Sequence, residues 1–125
     1  MRLFILSVFV TLAFSAWKKK AEKADVAVYV KHHGLLISGA TVYVKYNAEE
    51  FPGTDPSLYD ESKVCGTTGH GIGHAHFEGL DAGNHYFYSV GYDSTIMDDV
   101  MGGIGLKIEE SSVKQDLDLD IPVTE

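Results

Sequence analysis

Alternation of apolar and polar residues is the feature that most constrains what this chain can become. From Asp25 onward, Val26, Val28 and Val30 fall on one side while Ala27, Tyr29 and Lys31 fall on the other. Ala40, Val42, Val44 and Tyr46 make a second such set. Near the end, Leu117, Leu119, Ile121 and Val123 alternate with Asp116, Asp118 and Asp120. A period of two is the signature of a strand with one buried face. Beyond the first 17 residues no stretch shows the 3.6-residue period of an amphipathic helix.

Turn residues divide the remainder. Gly34 and Gly39 bracket a turn, and residues 48 to 62 carry two prolines, a glycine and five acidic residues, which makes them a long loop. Lys63 to Thr68 can form a short strand, followed by the glycine-rich turn of Gly69, Gly71 and Gly73. His74 to Leu80 and His85 to Tyr92 read as a hairpin joined by Asp81-Ala82-Gly83-Asn84, a sequence suited to tight turns. Val100 to Glu110 reads as a bent strand and Val113 to Val123 as the last. The expectation is an all-β, seven-stranded antiparallel sandwich of Ig-like or transthyretin-like type over residues 25–125. Val28, Val42, Val44, Phe77, Tyr86, Tyr88, Leu119 and Ile121 are the expected core.

The first residues have a different character. Arg2 precedes an apolar run from Leu3 to Ala16, shorter than the ~20 residues that span a bilayer. Small residues (Ala13, Ser15, Ala16) and then Lys18-Lys19-Lys20 follow. Residues 1–17 therefore read as a signal peptide and residues 18–24 as a charged tether. The expected location is exported: periplasm, outer-membrane surface or extracellular space. The stretch from Leu12 to Lys20 resembles the lipoprotein signals of Gram-negative bacteria. Trp17 stands where that family places its lipid-accepting cysteine, so membrane association would come only through the leader or a lost lipid anchor.

Charge narrows the partners. From Ala24 onward five lysines face 17 acidic residues, and the one arginine is Arg2. Such a surface repels phosphate backbones and argues against nucleic acid. The remaining partner classes are a protein, a glycan or a metal ion. The single cysteine, Cys65, permits no intrachain disulfide.

Two stretches carry a family resemblance. One is Ile37-x-Gly39-Ala40-x-Val42-x-Val44. The other runs from Thr67-Thr68-Gly69 through His76-Phe77-x-x-Leu80-x-x-Gly83 to Tyr86-x-Tyr88-x-Val90-x-Tyr92. Together they resemble the carboxypeptidase regulatory-like domains, which share a transthyretin-like sandwich. The resemblance implies a central hairpin at Phe77 to Tyr92 and a non-catalytic accessory, adhesive or ligand-positioning role in an exported protein. The family's usual aspartate after the third strand is replaced by Thr68 or Gly69. The hydroxyisourate hydrolases, an enzymatic branch of the same architecture, end in Tyr-Arg-Gly-Ser. This chain reads Ile121-Pro122-Val123-Thr124-Glu125 and has no arginine in the domain, so no enzymatic activity is expected.

The segment Gly69-His70-Gly71-Ile72-Gly73-His74-Ala75-His76 invites metal chemistry. On a strand with Ala75 and Phe77 inward, His74 and His76 point outward about 7 Å apart. With Tyr86 and Tyr88 inward on the return strand, His85 joins them. His70, His74, His76 and His85 are thus the candidate ligands for Zn²⁺ or Cu²⁺, with Glu78 or Cys65 as possible additions. The alternative is a solvated hairpin face that binds nothing. His32 and His33 are expected to face opposite ways, as successive strand residues do. Asp93, Asp98 and Asp99 have no EF-hand spacing, and Asp116, Asp118 and Asp120 read as a solvated face that protects a sheet edge.

Overall fold

The computed structural model describes residues 21–125; the leader and residues 18–20 of the expected tether lie outside them, and Ala24, the last tether residue, already belongs to the first strand. The described chain is all-β and forms two four-stranded sheets. The strands are β1 (Ala24–His32), β2 (Leu35–Leu36), β3 (Thr41–Tyr46), β4 (Glu61–Val64), β5 (His74–Leu80), β6 (Gly83–Asp93), β7 (Asp98–Ile108) and β8 (Gln115–Pro122). Among the described residues no helix is long and apolar enough to cross a membrane.

β1 is the centre of the first sheet. It pairs antiparallel with β5, placing Val26 opposite Phe77 and Tyr29 opposite His74. Beyond Val30 the short β2 continues that edge, with His32 opposite Leu35. On its other side β1 runs parallel to β8, from Ala24 opposite Gln115 to Lys31 opposite Pro122. The second sheet has the order β4-β3-β6-β7.

The alternation in β1, β3 and β8 meets between the sheets. Val26, Val28, Val30, Val42, Val44 and Ile121 are fully enclosed, and Phe77 meets Phe87 edge to face with centroids 5.6 Å apart. Each such aliphatic side chain removed from water contributes about 1.5–3 kcal/mol, so these facing rows hold the sheets together.

Four expectations need correction. There are eight strands, because the two-residue β2 folds back on β1 through His33 and Gly34. Both have positive φ (51° and 81°), as a tight two-residue hairpin turn requires. The sheets are not wholly antiparallel, because β8 lies parallel to β1. β5 and β6 are not a hairpin: β5 belongs to the sheet of β1 and β6 to the sheet of β3, so Asp81-Ala82 carries the chain across between layers.

The fourth correction is the phase of β6. Val44 pairs with Phe87 and Tyr46 with His85, so His85 and Phe87 point inward. Tyr43 pairs with Tyr88, which turns Tyr86 and Tyr88 to the outer face; Tyr88 is buried there, as expected, but apart from the cluster between the sheets, and Tyr86 is only half-buried. The physical reason is the loop between β3 and β4. It lays Phe51 and Tyr59 over that outer face, where Tyr59 stacks on Tyr88 at 5.7 Å and Phe51 lies 5.3 Å from Tyr88. Asp55 caps a short turn by accepting from the Ser57 N–H, and the Tyr59 hydroxyl donates to Gly53 O at 2.7 Å, which stiffens the loop. Both faces of β6 are therefore covered, and its aromatic residues do not mark the inner one.

Candidate functional site

The glycine-rich stretch places its histidines in unlike settings. His74 and His76 share the outer face of the first sheet, as period two demands, with ring centroids 5.0 Å apart. His74 also lies 5.0 Å from Tyr29, its cross-strand neighbour. Glu78 is exposed two residues further along β5, and His70 is exposed in the short turn Gly69–Gly71.

His85 does not join them. Its side chain is 2% exposed and lies between the sheets. Nδ1 accepts from the Asn47 N–H at 3.3 Å, and Nε2 donates to Asp81 O at 2.7 Å. Both ring nitrogens are thus committed to fastening the crossing between β5 and β6, a consequence of the reversed phase of β6. Cys65 is likewise turned inward while Val64 is exposed, which takes Cys65 away from the outward face that an additional ligand would need. Burial pushes the Cys65 thiol up to about 11, so it is held as a neutral core group.

A different set converges at one end of the sandwich. Among the described residues, His32, His33 and Glu125 are the group of His, Cys, Asp or Glu side chains whose ligand atoms all lie within 4.8 Å of one another. His32 ends β1 on the inward phase begun by Val26. His33 opens the positive-φ turn, which swings its ring back to 4.1 Å from that of His32, centroid to centroid. The expectation that the two face opposite ways assumed an extended backbone at both, and the turn removes it. Glu125 arrives beyond β8, where the chain is held by Val123 N–H to Lys31 O at 2.9 Å and by Thr124 pairing with Met101.

Behind His32 stands Asp93, at the end of β6. His32 Nδ1 is 2.7 Å from Asp93 Oδ2, and its Nε2 is 2.8 Å from Glu125 Oε2. Asp93 is itself fixed: Oδ1 accepts from the Thr95 hydroxyl at 2.6 Å and the Thr95 N–H at 2.9 Å. The bonds from Thr95, and then that from His32, hold the Asp93 carboxyl down at about 2, and the bond to Asp93 raises His32 above its ordinary range. Beside the histidines lies an open groove of about 550 Å³ whose walls include Ile104, Asp120, Pro122 and Val123. The sequence did hold one signal for this set. Continuing the Val26-Val28-Val30 phase puts His32 inside, where a polar ring needs a partner.

The outer face of the second sheet presents a separate feature. Phe51, Tyr86, Tyr88 and Met101 border an open shelf of about 290 Å³ floored by Gly102 and Gly103. A Cβ at Gly103 would stand 2.7 Å from the Tyr86 ring, so glycine is what lets that ring lie flat against β7. Phe51 and Met101 are about half exposed, at 49% and 45%.

No known family model matches this chain, and no curated protein matches it either.

Proposed function

We propose that this protein is an exported, non-catalytic binding and structural module of a bacterial cell envelope, similar to the carboxypeptidase regulatory-like domains. The aromatic shelf of Phe51 and Tyr86, backed by the buried Tyr88, is the observation that carries the reading. Its rings are held by one another and by the loop, so little conformational entropy is lost when a ligand stacks on them. The acidic surface repels anionic polymers, which favours a neutral ligand with a flat apolar face, such as a pyranose ring. The leader supports export, and the residues of Ile37 to Val44 and Thr67 to Tyr92 support the family resemblance.

Two experiments test this. Saturation-transfer NMR of the untagged chain with neutral oligosaccharides should show ring contacts, and Phe51→Ala should weaken binding by roughly tenfold or more. Absence of contact with every neutral saccharide would remove the shelf as a glycan site. For the leader, Trp17→Cys should gain a palmitate label in a Gram-negative host, and an unlabelled variant would refute the lipoprotein resemblance.

A second reading, capture of Zn²⁺ or Cu²⁺ at the glycine-rich strand, is favoured by the shared face of His74 and His76, with His70 or Glu78 as a third ligand. Calorimetry should then show binding that the His74→Ala/His76→Ala variant loses.

A further inference from the structure

We propose that His32, His33 and Glu125 form a Zn²⁺ site at the end of the sandwich, with Asp93 as the carboxylate that aims His32. The proposal is independent of both the glycan shelf and the His74/His76 face.

The geometry supports it in three ways. The ligand atoms already lie within 4.8 Å of one another, and tetrahedral zinc with bonds of about 2.0–2.1 Å needs them roughly 3.3 Å apart. Most of that contraction is available to two exposed side chains, His33 and Glu125, while His32 stays fixed and buried. The Nε2 of His32 is presented toward the other two because Nδ1 is engaged by Asp93. A histidine that binds metal through one nitrogen commonly donates the other N–H to a carboxylate, which fixes the tautomer and strengthens the ligand. Here that carboxylate is buried and held in turn by Thr95 through two bonds, so the ligand and its support are both in place.

The donor set selects the ion. Two imidazoles and one carboxylate suit zinc and its neighbours among the transition metals, whereas calcium and magnesium take all-oxygen shells. Three protein ligands leave a fourth position, and the adjoining groove gives solvent or a ligand access to it. Asp93 and Glu125 both contact His32, so a divalent cation meets two carboxylates there, while the groove-wall Asp120 is paired with Lys31 at 3.2 Å.

The site differs from the glycine-rich strand in what lies behind the imidazoles. His74 packs on Tyr29 and on His76, and neither contact is to a carboxylate.

Calorimetric titration of the untagged, chelator-stripped chain with Zn²⁺ tests the proposal. One equivalent should bind, and His33→Ala and Glu125→Gln should each weaken it by roughly tenfold or more. The His74→Ala/His76→Ala variant should retain the wild-type affinity for that equivalent. Both His33 and Glu125 are exposed, so these variants should keep the fold, which circular dichroism checks. Substituting Co²⁺ gives an independent readout, the visible absorption of a tetrahedral site, which His33→Ala should abolish. Unchanged zinc affinity in His33→Ala, or no stoichiometric binding in the wild type, would overturn the proposal and leave Asp93, His32 and Glu125 as a fastener between strand ends.

Discussion

Two pairs of histidines stand on the same strand-rich framework and differ in what lies behind them. His74 and His76 stand on an open face, separated by the strand's own period, with an aromatic ring for company. His32 and His33 stand at the end of a strand, brought together by a turn, with a buried aspartate engaging one ring. A short run rich in histidine supplies ligand atoms. It does not supply the fixed orientation that turns an imidazole into a committed ligand. That orientation comes from residues far away in the chain: Asp93 from β6, Thr95 from the following turn and Glu125 from beyond β8.

This contrast can be broken by substitution. The largest effect is expected at His32. Changing it to alanine leaves Asp93 buried without its partner and opens a void at the end of the core. The melting temperature should fall by several degrees, whereas His74→Ala/His76→Ala should move stability by no more than about 0.5 kcal/mol. Equal thermal shifts would mean that the two pairs are equally superficial. His85 should rank next. His85→Ala strands the Asp81 carbonyl and the Asn47 N–H, costing about 1–3 kcal/mol in denaturant unfolding. A neutral result there would return His85 to the solvent-facing group that period-two reasoning first assigned it to.

A smaller effect sharpens the same lesson for the two outer faces. The outer face of the second sheet is backed by a loop, and its phenols register this. Burial, with Tyr88 and Tyr86 alongside, pushes Tyr59 up to about 12, while on the inward phase of β3 the Glu61 carboxylate and burial push Tyr46 likewise to about 12. The folded state therefore favours the protonated phenols. Their contribution to stability is fully present below the unfolded value of about 10 and is lost as pH rises from about 10 to 12. Ultraviolet titration should show a late-ionising group of tyrosines, with unfolding setting in over that interval. Phe51→Ala, which thins the cover, should bring the transition to lower pH. Tyrosines that all ionise together near pH 10 would show that the loop does not shield them.

The strands were legible where one face alone is buried. β1, β3 and β8 keep the valine, isoleucine and leucine phases read from their alternation, and β5 begins and ends where the pattern places it, at His74 and Leu80. The reading failed in β6 because both of its faces are covered, so that Tyr86 and Tyr88 looked like core and His85 looked like surface. The error propagated: a β5–β6 hairpin brings His85 beside His76, whereas the actual crossing puts them on different layers. The parallel pairing of β8 with β1 was beyond local pattern, because it joins residues some ninety positions apart. The convergence of His32, Asp93 and Glu125 depends on that pairing and on the phase of β6, so the sequence signalled only the inward place of His32 and not its partners.

The most direct test of the contrast is to watch all the imidazoles at once. Long-range ¹H–¹⁵N spectra of the histidine rings, recorded during a Zn²⁺ titration of the untagged chain, separate the two pairs without any substitution. The expected result is that His32 and His33 shift and saturate with the first equivalent, His85 stays still, and His74 and His76 respond only in excess zinc. A first equivalent taken up by His74 and His76, with His32 and His33 unmoved, would contradict the claim that the buried carboxylate decides which pair binds.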